Sequence, residues 1–172
     1  LQAALDDAGV CSSDIQYIEA HGTGTKLGDP IETAALATVY GRDRDESNPL
    51  YISSIKANIG HLEAAAGMAG LLSAICALGH GSAPPNAHLT TLNEKVQASV
   101  EGTPLTFPTE SHELHRAPSG RGSLCAGVSS FGYSGTIAHV IIKEASTRKR
   151  FVQDKLHCVD ADHIAASEVV PL

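Results

Sequence analysis

The stretch SSIKANIGHLEAAAGMAGLLSAICALG, residues 53–79, decides the fold. It opens on the end of a short strand expected at 51–55. It then turns through Ala57, Asn58, Ile59 and Gly60, and becomes a helix at 62–79 whose only charge is Glu63. A surface helix shows a polar face; this one shows none, so the pattern predicts a helix buried on all sides. Its residues are mostly Ala, Gly, Leu and Ile, and the small ones let other backbones approach closely. His61 stands at the N-terminal end of this helix, where the positive end of the dipole disfavours a second positive charge. A neutral imidazole held there offers an N–H to an oxygen on which negative charge develops. The length of 62–79 would also allow a membrane span, but the dominance of Ala and Gly and the loops on either side argue against one.

Working outward, residues 1–9 (LQAALDDAG) read as the tail of a helix closed by Gly9. A strand is expected at 15–20 (IQYIEA), with His21 directly at its end. In the following HGTGTKLGDPIE, Gly22, Gly24 and Gly28 make the loop permissive. Asp29 is an N-cap candidate, Pro30 suits the first helical position and Glu32 falls three residues after the cap. That helix should end near Gly41, and 42–49 is a charged surface loop. Beyond the central stretch, Pro84 and Pro85 stop the helix. Residues 90–100 read as short and irregular, 105–107 as an edge strand and 109–122 as a loop. Two strands, 123–131 and 137–143, are joined by the Gly-rich turn GYSG. Helices alternating with strands predict a largely parallel α/β sheet, and the tight turn makes the last pair antiparallel. Sites in such sheets lie at the carboxyl ends of strands, where His21 and His61 both fall.

With 172 residues and 42% hydrophobic content, the chain can build a core, and with only 4% aromatics that core must be aliphatic. A net charge of −7 argues against nucleic acid as a partner. Cys11, Cys76, Cys125 and Cys158 show no paired spacing, which fits reduced thiols in a cytoplasmic compartment. The chain starts at Leu1 without a signal pattern, and the missing Met suggests a piece of something longer. Residues 1–145 are expected to form the ordered unit and 146–172 a linker or disordered tail. His157, Cys158, Asp160, Asp162 and His163 lie in that tail and carry no metal expectation; none is placed elsewhere either. His139, on the last strand, reads as structural, and His80, His88, His112 and His115 as surface residues.

Four motifs in order, EAHGTGTKLGDPIE, SSIKANIGHLEAAAGMAG, APPNAHL and SSFGYSGTIAHV, resemble the ketosynthase domain of modular polyketide synthases. More broadly they resemble the β-ketoacyl synthases of thiolase fold. The resemblance runs over roughly residues 1–144 and implies the C-terminal half of that fold: a mixed, mostly parallel sheet with helices on both faces and one buried Ala/Gly-rich helix. It implies decarboxylative Claisen condensation of an acyl thioester with a malonyl-type unit on acyl carrier protein, in polyketide or fatty-acid chain elongation. His21 and His61 match the family's two histidines and Lys56 its lysine. Thr23 and Thr25 match threonines that hold the phosphopantetheine arm. Phe131 and Tyr133 match the aromatic turn: the second aromatic gates the acyl pocket, and its N–H joins the oxyanion hole. No cofactor is implied beyond the phosphopantetheine that carries the substrate. The implied partners are acyl carrier protein, the N-terminal half of the same domain and, in the complete domain, a second copy as homodimer; no nucleic acid or membrane is implied.

Two departures stand out. The family's usual FGFGGTNAH reads FGYSGTIAH at 131–139, with Ser134 and Ile137 altering the turn. The family's cysteine nucleophile, in a motif like DTACSS, has no match here. None of the four cysteines sits in the small-residue turn at a helix start that activates such a thiol. The chain is therefore expected to supply the His/His/Lys side of the site without the nucleophile. Two rival readings remain at this stage: a non-catalytic ketosynthase-like partner and an inactive fragment.

Overall fold

The structure, a computed structural model, describes residues 1–116 and 122–145. The tail expected at 146–172 and part of the loop expected at 109–122 lie outside the described residues. Strands β1 (Tyr17–Glu19), β2 (Leu50–Ser53), β4 (Leu105–Thr106), β6 (Cys125–Phe131) and β7 (Ile137–Lys143) form one sheet in the order β4-β2-β1-β6-β7. The pairs β4–β2, β2–β1 and β1–β6 are parallel, and β6–β7 is antiparallel, as expected from the tight GYSG turn. A second, two-stranded sheet pairs β3 (Ser82–Ala83) with β5 (His112–Glu113).

Because neighbouring side chains on a strand point to opposite faces, each central strand feeds two cores. Ile18, Leu50, Ile52 and Cys125 face helices α1 (Gln2–Ala8), α2 (Gly28–Tyr40) and α5 (Glu94–Val100), where Leu5, Leu36, Tyr40 and Val100 complete an aliphatic cluster. Tyr17, Ala126 and Val128 face the other way, against Ala74, Ala77 and Leu78 of helix α4 (Ala66–His80). The result is a helix–sheet–helix arrangement. The N-terminal helix closes on Gly9, whose φ of 63° is the left-handed cap that glycine adopts without strain. His139 bridges the sheet to α2: Nε2 lies 2.6 Å from the Tyr40 hydroxyl and Nδ1 lies 2.9 Å from Ser129 Oγ. Burial pushes its imidazole down to about 4, which suits the structural reading.

Several expectations change. Helix α4 is covered on one face only. Ala66, Gly70, Ala74, Ala77 and Leu78 are buried, but Met68, Leu72 and Ile75 are half exposed or more, as is Ile59, and Leu62 is exposed nearly as far. An apolar helix demands cover, but among the described residues only the sheet supplies it. Segment Glu63–His80 is long and apolar enough to cross a membrane by length and composition; here it lies on the sheet. The turn after β2 is a short helix, α3 (Lys56–Ile59). His61 is separated from α4 by a 3₁₀ turn at Glu63–Ala65, so it is not at the end of that helix's dipole. Residues 94–100, expected to be irregular, are helical. Asn93 caps the helix by accepting from Lys95 N at 2.9 Å, and Val96 and Val100, four residues apart, bury one face. Packing there overrides the weak helix propensity of two valines. Asp29 and Glu32 do not cap α2, which starts after Leu27; both side chains turn back into the preceding loop.

The uncovered face of α4 sets a solution property. Full burial of side chains such as Met68, Leu72 and Ile75 is worth about 1.5–3 kcal/mol each. Residues 1–145 expressed alone should therefore bind an apolar-surface dye and self-associate or behave as a molten state. Leu72→Gln with Ile75→Gln should lower the dye signal. A monodisperse, cooperatively melting wild-type fragment with little dye binding would refute this.

Candidate active site

The carboxyl ends of β1, β2 and β6 converge on one edge of the sheet. Ala20 leads from β1 to His21, Ser54 and Ile55 lead from β2 to Lys56 and α3, and β6 ends on Phe131. The rings of His21 and His61 meet edge to face with centroids 5.9 Å apart, and Phe131 lies 4.9 Å from His21. His21 is half-buried, whereas His61 is exposed. His21 Nδ1 accepts the backbone N–H of Phe131 at 3.3 Å, and His61 Nδ1 accepts that of Glu63 at 2.8 Å. With Nδ1 an acceptor in both rings, the neutral form carries its proton on Nε2. Glu63 reaches His61 by adopting a left-handed φ of 48°, an uncommon conformation for a residue with a Cβ. Burial first, then the charges of Lys56 and His61, hold the His21 imidazole below its ordinary range. Lys56 is lowered by burial and raised by two carboxylates, Glu19 and Glu32.

The loop that presents His21 is built by carboxylates. Glu32, itself buried, accepts His21 N at 2.8 Å and Gly22 N at 2.9 Å; Asp29 accepts Gly24 N at 3.1 Å and Thr25 N at 3.2 Å. Burial raises the Glu32 carboxyl, and the two backbone donors oppose that rise. Asn86, in the PPN segment, joins the far wall. Its Oδ1 accepts Ser54 N at 3.0 Å, and its Nδ2 donates to Ile52 O at 3.0 Å. Between these walls lies an open cleft of about 610 Å³, lined among others by Thr23, Thr25, Lys56, His61, Asn86 and Leu92. Thr25 Oγ1 accepts Gly28 N at 3.0 Å, which leaves its proton free to donate into the cleft.

The structure thus brings His21, His61, Lys56, Thr23, Thr25 and Phe131 to one edge. Tyr133 stands at the tip of the β6–β7 turn, fully exposed, away from the cleft lining. Sequence reading passed over Glu19, Glu32 and Asn86 as functional groups. The available signals were a carboxylate inside an otherwise apolar strand and an acid three residues into a helix, both of which have bland readings.

The model of the β-ketoacyl synthase C-terminal domain matches residues 1–90. This chain belongs to the β-ketoacyl synthases. Erythronolide synthase EryA3 of Saccharopolyspora erythraea is 46% identical over 145 residues, which is 84% of this chain and 4% of that protein. The 6-methylsalicylic acid synthase of Penicillium terrestre is 47% identical over 165 residues, 94% of this chain and 9% of that one. Among solved structures, ketosynthase twelve of the bacillaene polyketide synthase from Bacillus amyloliquefaciens superposes with a TM-score of 0.74 at 39% identity. The ketosynthase from module 6 of the Bacillus subtilis bacillaene synthase does so with a TM-score of 0.73 at 41% identity. These alignments cover 84% and 83% of this chain, and 25% of each solved chain. The β-ketoacyl synthase chain described here therefore spans about a quarter of the ketosynthases it matches and under a tenth of the curated synthases. Its fold is thiolase-like and its relatives are polyketide synthases.

One position in the His21 loop is closed to side chains. Gly22 has φ 46°, and a Cβ there would lie 2.7 Å from Ser54 Cβ. Gly24, at φ 74°, has open space around it. Gly22→Ala should cost about 1–3 kcal/mol and lower the melting temperature more than Gly24→Ala. Equal losses from the two would remove the steric argument.

Proposed function

We propose that this chain supplies the decarboxylation side of a polyketide ketosynthase site. The observation that carries the reading is the pairing of His21 and His61, each with Nδ1 held by a backbone N–H and Nε2 left as the proton-bearing donor. A malonyl thioester that loses carbon dioxide places negative charge on its thioester oxygen. Two neutral N–H donors fixed at one sheet edge stabilise that charge without reorganising. Lys56, charged and flanked by Glu19 and Glu32, opposes protonation of His21 and so keeps that donor neutral. The resulting enolate carbon attacks the carbonyl of an acyl thioester on a cysteine. The carbon–carbon bond forms as the thiolate leaves.

Among the described residues no cysteine suits that role: Cys125 is buried on β6 with its thiol pushed up by burial, and Cys11 and Cys76 are exposed away from the cleft. The nucleophile is thus assigned to the preceding half of the domain. That half is also the proposed cover for the apolar face of α4. The cleft beside the histidines, with the Thr23 and Thr25 hydroxyls, fits a phosphopantetheine arm delivered by acyl carrier protein. Phe131 packs on His21, and Tyr133 is the proposed gate of the acyl pocket. The ordered unit is taken as 1–145 and the complete enzyme as a homodimer.

In the synthase that carries this chain, His21→Ala and His61→Ala should each lower carbon dioxide release from a malonyl carrier thioester by on the order of 10²-fold or more. Normal release from either variant would sink the assignment. Protonation of His21 destroys its Nδ1 acceptor, and its pKa is lowered, so activity should persist as pH falls and decline only below the ordinary imidazole value of about 6.5. An acid limb above that value would contradict the geometry. Tyr133→Ala should slow acyl loading or change chain-length preference, and unchanged loading across several acyl lengths would count against the gate.

A further inference from the structure

Glu19 is a carboxylate in the middle strand of the sheet, 1% exposed. An isolated ionised carboxylate in such a place is strongly disfavoured. Three donors converge on this one. Tyr17 donates its hydroxyl to Oε2 at 2.6 Å, Ser73 of α4 donates to the same oxygen at 3.0 Å, and the backbone N–H of Ile55 donates to Oε1 at 2.6 Å. The Ile55 N–H is the last donor before Lys56. Helix α4 comes close enough for Ser73 to reach because position 70 is glycine: a Cβ there would lie 3.1 Å from Glu19 Cγ. One side chain thus ties β1, the entry to α3 and α4 together, immediately behind Lys56.

We propose that Glu19 is a positioning residue for Lys56: its buried carboxylate clamps the Ile55–Lys56 backbone between β1 and α4 and gives the lysine a second counter-charge beside Glu32. Three donors with no acceptor among its hydrogen bonds suit the ionised carboxylate. Burial raises the Glu19 carboxyl, opposed by Tyr17, Ile55, Ser73 and the charge of Lys56. The titratable groups facing the pair are Tyr17 on β1, Glu32 on α2 with Asp29 beside it, and His21 at the end of β1. From α4 the facing group is Ser73, and the lateral neighbours in the sheet are Ser53 and Val128, none of which titrates. Loss of the Glu19 charge would leave Lys56 with burial opposed by Glu32 alone, so the ammonium would release its proton at lower pH.

This inference rests on the role of Lys56 proposed above. The experiment uses the complete synthase that carries this chain and follows carbon dioxide release from a malonyl carrier thioester between pH 6 and 10, with kcat and KM separated. Glu19→Gln, nearly isosteric, should shift the alkaline limb of kcat down by about one pH unit, leaving KM within about twofold. Tyr17→Phe, which removes a donor to Oε2 and leaves both the charge and the Ile55 contact at Oε1, should shift the limb less than Glu19→Gln. Glu19→Asp keeps the charge but withdraws it by one methylene; it should keep the limb and lower kcat, and it serves if Glu19→Gln does not fold. A folded Glu19→Gln with wild-type limb and kcat, or a Glu19→Asp with wild-type kcat, overturns the clamp. Lys56→Ala separates the two claims. If it leaves release unchanged, the reading of Lys56 fails and takes the clamp with it; if it slows release while the Glu19 variants behave as wild type, only the clamp falls.

Discussion

Parallel pairing of β2, β1 and β6 is the constraint on which the rest depends. In that pairing Glu19 lies level with Ser53 on one side and Val128 on the other. Strands β1 and β2 end on this common register line and β6 runs three residues further, so residues two or three beyond the line meet at one edge. His21 is two residues past the line, and Lys56 and Phe131 are each three past it. Strands β1 and β2 leave room for this because each is followed by a crossover, whereas β6 turns tightly into β7. A slip of one residue would exchange the two faces of β1, moving Glu19 from α4 toward the opposite core and carrying His21 away from Phe131. Register therefore specifies the core and the site by the same hydrogen bonds.

Much of this was legible from local chemistry. Gly9 as a helix terminus, the strands around Ile18 and Ile52, and the antiparallel pair about the GYSG turn follow from cues a few residues wide. The placement of His21 at a strand end follows from the alternation of elements, whereas His61, read in the same way, lies beyond helix α3. The family motifs carried the candidate site further than periodicity could.

What escaped depended on distant partners. Asp29 and Glu32 have the spacing of a helix cap, but their carboxylates serve the amides of Gly22, Gly24, Thr25 and His21 in the loop they follow. The cap spacing is identical in both arrangements, so only the fold distinguishes them. Helix α5 escaped because two valines are poor helix formers, and it exists because α2 covers them: Thr33 and Ser99 hydroxyls meet at 2.7 Å across that contact. The apolar run at 62–79 was read as buried all round. Its composition does demand that, but one face finds no cover among the described residues.

The hydrogen bond from Glu63 to His61 has a further consequence, for how such a chain changes over generations. The proton position on that ring is dictated by a main-chain amide, and the Glu63 side chain itself is exposed. Heritable variation acts on side chains, and every amino acid but proline supplies the same amide. Position 63 can therefore drift through chemically unrelated residues, with glycine the most relaxed and β-branched residues the most strained at its left-handed φ, while the tautomer of His61 stays as it is. A chemical requirement of the site is thereby stored where substitution reaches it least.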